Sequence, residues 1–179
     1  MCARPQGKRG TADDDNLYTA YGDGYGFDPI VPNKLGLGFA RVIGGPTDFT
    51  GENIRSDAEN TGMGTFGKKA SGMLMVDGVL YIWARNADNN GHYCQLAWSR
   101  DYAQTWTWSN WNFKQFGYLT FVNFGVNYTG VPDQHKDYVY MVSQEKWKMI
   151  LKKQGGCRFE ACRGIAFRLP LYITLKNGM

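Results

Sequence analysis

The clearest hydrophobic pattern in the chain is a series of short apolar runs cut by polar turns. SGMLMV (71–76) is an apolar run of strand length, and Asp77-Gly78 follows it. Asp-Gly is a strong two-residue hairpin signal, because both positions favour positive φ. VLYIWAR (79–85) then reads as the return strand. The polar NADNNG (86–91) separates it from HYCQLAWS (92–99), a third strand, and TWTWSNWNF (105–113) reads as a fourth. Four strands in sequence predict one antiparallel sheet.

The same texture recurs. DDDNLYTAYGDG (13–24), VDGVLYIWARN (76–86) and HKDYVYMVSQ (135–144) each place an Asp-bearing turn before a β-forming run with a tyrosine. Tyr18, Tyr81 and Tyr140 stand 63 and 59 residues apart. A period near 60 suits one four-stranded blade, with loops, of a β-propeller. In the third unit YLTFVNFG (118–125) leads through VPDQHKD (131–137) into YVYMVSQ. In the first, NLYTAYGD (16–23) reads as a second strand. Its first strand falls before Asp13, where MCARPQGKRG is a poor strand former. Residues 30–67 are glycine-rich and are expected to finish the first blade with long loops. After Gln144 the pattern ends: EKWKMILKKQGG reads as a short basic helix and FRLPLYITL (167–175) as a strand outside the repeat. The expected fold is all-β, a partial β-propeller over 1–144 with about two to three four-stranded blades, followed by a divergent basic tail over 145–179.

Composition agrees with strands and turns: aromatics are 15% and glycines number 23 in 179 residues. The net charge of +4 is unevenly placed. Residues 145–179 hold eight Lys/Arg against two Asp/Glu, so the body is mildly acidic and a uniform nucleic-acid footprint is not expected. The tail's basic run, Lys146 to Lys153, reads as a solvated end. No apolar run reaches membrane-spanning length, and no secretory leader is visible at the start of the chain. Cys2, Cys94, Cys157 and Cys162 lack metal-ligand spacing, so free thiols and no metal or other cofactor are expected, with a Cys157–Cys162 disulfide as the open alternative. Asn127-Tyr128-Thr129 is a glycosylation sequon, meaningful only in a eukaryotic secretory setting. GDGYGF (22–27) does not open a helix, so it is not a nucleotide fingerprint. His92 and His135 have no triad pattern around them.

SRDYAQTW (99–106) matches S-x-D-x-G-x-T-W, with Ala103 at the usual glycine. Ser99 and Asp101 are suited to bond nearby backbone N–H groups and hold a tight turn, with Trp106 packing between layers. This motif resembles the Asp-box of sialidase-like β-propellers. Together with LYTAYGDGYGF, GKKASGMLMVDGVLYIWARN, QLAWSRDYAQTWTW and DYVYMVSQ, it makes residues 12–144 similar to a bacterial family of five-bladed propellers that includes endo-D-arabinanase glycoside hydrolases. Members of that family are longer, so the resemblance implies that this chain is a fragment. It also implies a secreted or periplasmic setting and a polysaccharide or oligosaccharide partner, with neither nucleic acid nor membrane as a partner.

Hairpin topology sends the ends of the second strands and the starts of the first strands to one mouth. That mouth is expected to gather Asp23, Tyr25, Lys68, Lys69, Arg85, Asn86, Ser143 and Gln144. Glycoside cleavage takes two carboxyl groups flanking the bond. Asp23 is the candidate catalytic acid/base or nucleophile. The resemblance implies that its partner comes from the preceding strand, where MCARPQGKRG has neither Asp nor Glu. Asp28, Asp48, Glu52, Asp57 and Glu59 lie in loops, and spacing selects none of them. Tyr25, Lys69, Trp83, Arg85, Asn86 and Gln144 are candidate substrate-binding residues, the aromatics by stacking on sugar faces; Lys69 and Arg85 have a second expected role, lowering the Asp23 pKa by proximity. The expected function is a glycoside hydrolase-type propeller acting on a polysaccharide such as an arabinan, inactive if the second acid is missing. The alternative is a non-catalytic propeller module that binds glycans or proteins. A third is a defective frame with no stable fold alone. Open propeller edges would favour self-association.

Overall fold

The computed structural model describes residues 12–88, 93–114, 118–142, 148–154 and 158–160, the last two stretches by their backbone. Their regular structure is strand throughout, apart from two single-turn 3-10 segments at Val126–Tyr128 and Asp133–His135. The strands form three antiparallel sheets of four strands each, and no sheet closes on itself among the described residues.

The second sheet is the one most legible from pattern. β5 (Lys69–Val76), β6 (Val79–Arg85), β7 (Cys94–Ser99) and β8 (Thr107–Trp108) lie in sequence order. Asp77 and Gly78 turn the first hairpin at φ 51° and 74°, which is the geometry the dipeptide favours. β6 is apolar at nearly every position because both its faces are covered. Leu80 and Ile82 pack toward the first sheet, with Phe39, Met75 and Trp106. Tyr81 and Trp83 pack toward the third, with Leu119, Val139 and Met141. Alternation along one strand thus feeds two separate cores. The fourth strand is far shorter than expected. After Trp108 the chain bulges out, then returns to pair Phe113 with Cys94 through two 2.8 Å backbone bonds.

The first sheet comprises β1 (Leu17–Tyr21), β2 (Leu35–Ile43), β3 (Thr50–Ile54) and β4 (Asn60–Thr61). β3 and β4 both pair with the same side of β2, so they form one outer edge interrupted by residues 55–59. β2 is nine residues long and its first six are buried. The sequence reading expected long loops here, because LGLGFARVI carries two glycines. Gly38 stands opposite Tyr21, and the Tyr21 ring lies where a Gly38 Cβ would be. That glycine is a packing site for an aromatic neighbour, not a turn. The first strand expected before Asp13 falls in residues 1–11, outside the described residues.

The third sheet runs β12 (Arg158–Glu160), β11 (Lys148–Gln154), β10 (Tyr138–Val142), β9 (Thr120–Phe121). This corrects the expected basic helix. KMILKKQ is a strand whose backbone sets Met149 opposite Met141 and Leu151 opposite Val139. The open edge of β10 offers ladder partners that a short isolated helix would lack. The division placed at 144/145 therefore falls inside a sheet. FRLPLYITL lies outside the described residues.

β1 packs beside β5, and β5 beside β9. At one end of these strands Asp13 N–H meets Met75 Sδ at 3.3 Å and Gly78 N–H donates to Asn127 Oδ1 at 2.8 Å. The exits of β1 and β6, at Asp23 and Asn86, lie at the other end with the entry of β5.

Candidate functional site

β1 and β6 leave their sheets alike. Asp23 and Asn86, just past the strand ends, both hold positive φ, 54° and 55°. Such a backbone is costly for residues other than glycine, least so for Asn and Asp, and it recurs at functional sites. Between them lies the turn of residues 62–67, which leads into β5. Asp23 reaches this turn through Oδ2, which accepts Gly64 N–H at 3.3 Å. Asn86 braces it from the second sheet, donating to the carbonyls of Thr65 at 3.1 Å and Gly67 at 3.3 Å. Asn60 fixes its exit, accepting Lys68 N–H at 2.9 Å.

The charge at the centre is an ion pair between Asp23 Oδ1 and Lys69 Nζ. The Lys69 side chain is only 4% exposed, whereas that of Asp23 is 43% exposed. A buried ammonium needs a partner, and Asp23 supplies it from the surface side. The Lys69 hydrogen bond holds the Asp23 carboxyl below the ordinary carboxylate range. Partial desolvation opposes this, while the Lys69 charge, Gly64 N–H and Lys34 support it. Asp23 is therefore ionised at neutral pH. It fits a nucleophile, base or hydroxyl acceptor, and does not fit a proton donor.

The other expected site residues separate. Tyr25 is 44% exposed just beyond Asp23. Arg85 is half-buried, and its guanidinium lies 4.3 Å from the centroid of the Tyr118 ring. Lys68 contacts Gln95 Oε1 at 3.4 Å and lies over the Trp108 ring at 3.9 Å, and burial pulls its pKa down. Three expectations are corrected. Trp83 is fully buried, packs against Trp111, Phe113 and Phe121, and donates to Met141 Sδ at 2.8 Å, so no sugar can stack on it. Asn86, 4% exposed, spends its amide on the 62–67 turn. Lys69 is buried and spends its charge on Asp23 instead of on a sugar, which fulfils the other role expected of it, lowering the Asp23 pKa. Ser143 and Gln144 lie outside the described residues.

Four of the five loop acids take structural partners. Glu52 pairs with Arg41 at 2.5 Å and Glu59 with Arg55 at 2.8 Å. Asp48 accepts Gly45 N–H at 2.9 Å, and Asp57 accepts Trp106 N–H at 3.0 Å. Among the described residues none of these acids bonds to the Asp23–Lys69 pair. Asp88, two residues past Asn86, is a carboxylate that the topology brings to the same end. Sequence reasoning passed over Asp88, Tyr118, Asn60 and the 62–67 turn. The spacing of Gly62, Gly64 and Gly67, all at positive φ, was the available signal for the turn. No family model, curated protein or solved structure matches this chain.

Proposed function

We propose that the three sheets are consecutive blades of a propeller-type module and that the end bearing Asp23 is its glycan-binding mouth. The observation that carries this reading is the Asp23–Lys69 pair: an ionised carboxylate, 43% exposed, held in place by a buried ammonium. A fixed carboxylate with free lone pairs is a good acceptor for vicinal sugar hydroxyls. Exposed Tyr25 and Tyr118 at the same end supply rings for stacking. The common direction of β1 and β6, with turns at one end and polar exits at the other, supports the blade reading.

Hydrolysis is the second reading, favoured by the presence of Asp88 at the same end. It assigns Asp23 the nucleophile or base role and leaves Asp88 to protonate the leaving group. One experiment separates the two. Binding to arabinan and other glycan oligosaccharides is measured by calorimetry, with reducing-sugar release followed in parallel, for the wild type, Asp23→Asn and Asp88→Asn. Binding without release, weakened roughly tenfold or more by Asp23→Asn as a charged acceptor is lost, is expected. Release abolished by both substitutions would replace the binding module with a hydrolase. Folded protein that binds no glycan would overturn both.

A further inference from the structure

Among the described residues, Arg85 is a cation at the mouth that no carboxylate neutralises. Arg85 stands opposite Lys69 in the β5–β6 register. Lys69 is neutralised by Asp23. Among the described residues Arg85 has neither a carboxylate partner nor a hydrogen-bond acceptor; its contact is the Tyr118 ring at 4.3 Å. Tyr118 is itself 42% exposed, so this stack is at the surface and reachable.

The stack has a chemical consequence. A guanidinium whose Cζ lies 4.3 Å from a ring centroid is in cation–π contact, and that contact takes no acceptor oxygen to its N–H groups. The guanidinium edge carries the planar fork of N–H donors that matches a carboxylate. The ring contact restricts the Arg85 side chain, so less freedom is lost on binding. Arg85 is also half-buried, which strengthens an ionic hydrogen bond relative to one in open water. Asp23 does not cancel this attraction, because Lys69 bonds it and Lys34 adds to the positive field around it.

We infer that Arg85, in contact with Tyr118, is a carboxylate subsite at the same end of the sheets as Asp23, and that the ligand is an acidic glycan carrying a uronic acid. Adjacent strands lie about 4.8 Å apart. Since Lys69 both bonds Asp23 and stands opposite Arg85, one oligosaccharide can reach the two groups, offering hydroxyls to Asp23 and carboxylate to Arg85. This inference rests on the glycan-binding reading.

The test compares oligogalacturonides with their methyl esters, which differ only in the blocked carboxylate, and with neutral arabino-oligosaccharides, by calorimetry at low salt. The acids are expected to bind roughly tenfold more tightly than the esters, the scale of one bidentate ionic contact. Arg85→Gln should bring acid affinity down to that of the ester. Arg85→Lys, which keeps charge without the fork, should fall between. Equal binding of acid and ester by the wild type overturns the inference and leaves the glycan reading standing, as does binding of neutral sugars alone. An acid preference that survives Arg85→Gln also overturns it. Failure to bind any of the three sets removes both.

Discussion

Asp101 shows what a single carboxylate does when it closes a turn. Its Oδ1 accepts Thr105 N–H at 2.9 Å and the Ser99 hydroxyl at 2.8 Å, and its Oδ2 accepts the Thr105 hydroxyl at 2.6 Å. Ser99 Oγ in turn accepts Ala103 N–H at 2.9 Å. These bonds hold Tyr102 and Ala103 at φ 56° and 70°, a backbone that alanine adopts only under constraint. Trp106, delivered by the turn, stacks on Phe39 of the first sheet at 5.1 Å. Asp101→Ala should destabilise the fold by roughly 1–2 kcal/mol, since it removes the hydrogen bonds that hold the turn; urea unfolding measures it. The role of this residue as a scaffold was legible in the sequence because its bonds are local. Asp23 was legible only in part: its place at a strand exit followed from the pattern, but its pairing with Lys69 spans 46 residues. That pairing has a pH signature. A folded-state pKa below the ordinary carboxylate value stabilises the protein at pH above about 4, and the contribution is lost as pH falls through the depressed value. The melting-temperature gap between wild type and Asp23→Asn should therefore be full at neutral pH and close below about pH 4. A gap constant down to pH 2 would exclude the ion pair as its source.

Strands differ in how openly their sequences state them. β5 and β6 announce themselves because their hairpin has a local turn code and their faces are buried on both sides. β2 is hidden because Gly38 looks like a loop residue until Tyr21 is seen lying against it. β11 is hidden for a different reason. Its lysines resemble a solvated helix face, and what makes it a strand is the edge of β10, which no window over residues 145–156 contains. β8 errs the other way. TWTWSNWNF has the composition of a long strand, yet Gln95 Nε2 binds Ser109 O at 2.6 Å and the ladder breaks there, to resume at Phe113. At the site the same division holds. Arg85 and Asn86 were placed correctly at a strand exit, but facing depends on partners. Trp83, two residues earlier, turns into the core with Met141, 58 positions away in sequence.

At the scale of the molecule, a stack of sheets has end faces, and the sequence reading expected these to draw molecules together. The first sheet meets the second through Tyr18, Phe39 and their neighbours. Its opposite face is partly roofed by the chain itself. Phe27 lies over Gly51, and Asn53 ties it there, accepting Phe27 N–H at 2.8 Å and donating to Phe27 O at 2.7 Å and Pro29 O at 2.9 Å. Ala40, in the middle of that face, is fully buried. Asn53→Ala should release the roof, and light scattering should then show more self-association than in the wild type, as expected of an uncovered sheet face. An unchanged molar mass would mean that the roof does not limit contact. One asparagine thus makes the first sheet a terminus: it gives the row of sheets a finished side, so that growth by adding copies would have to begin elsewhere.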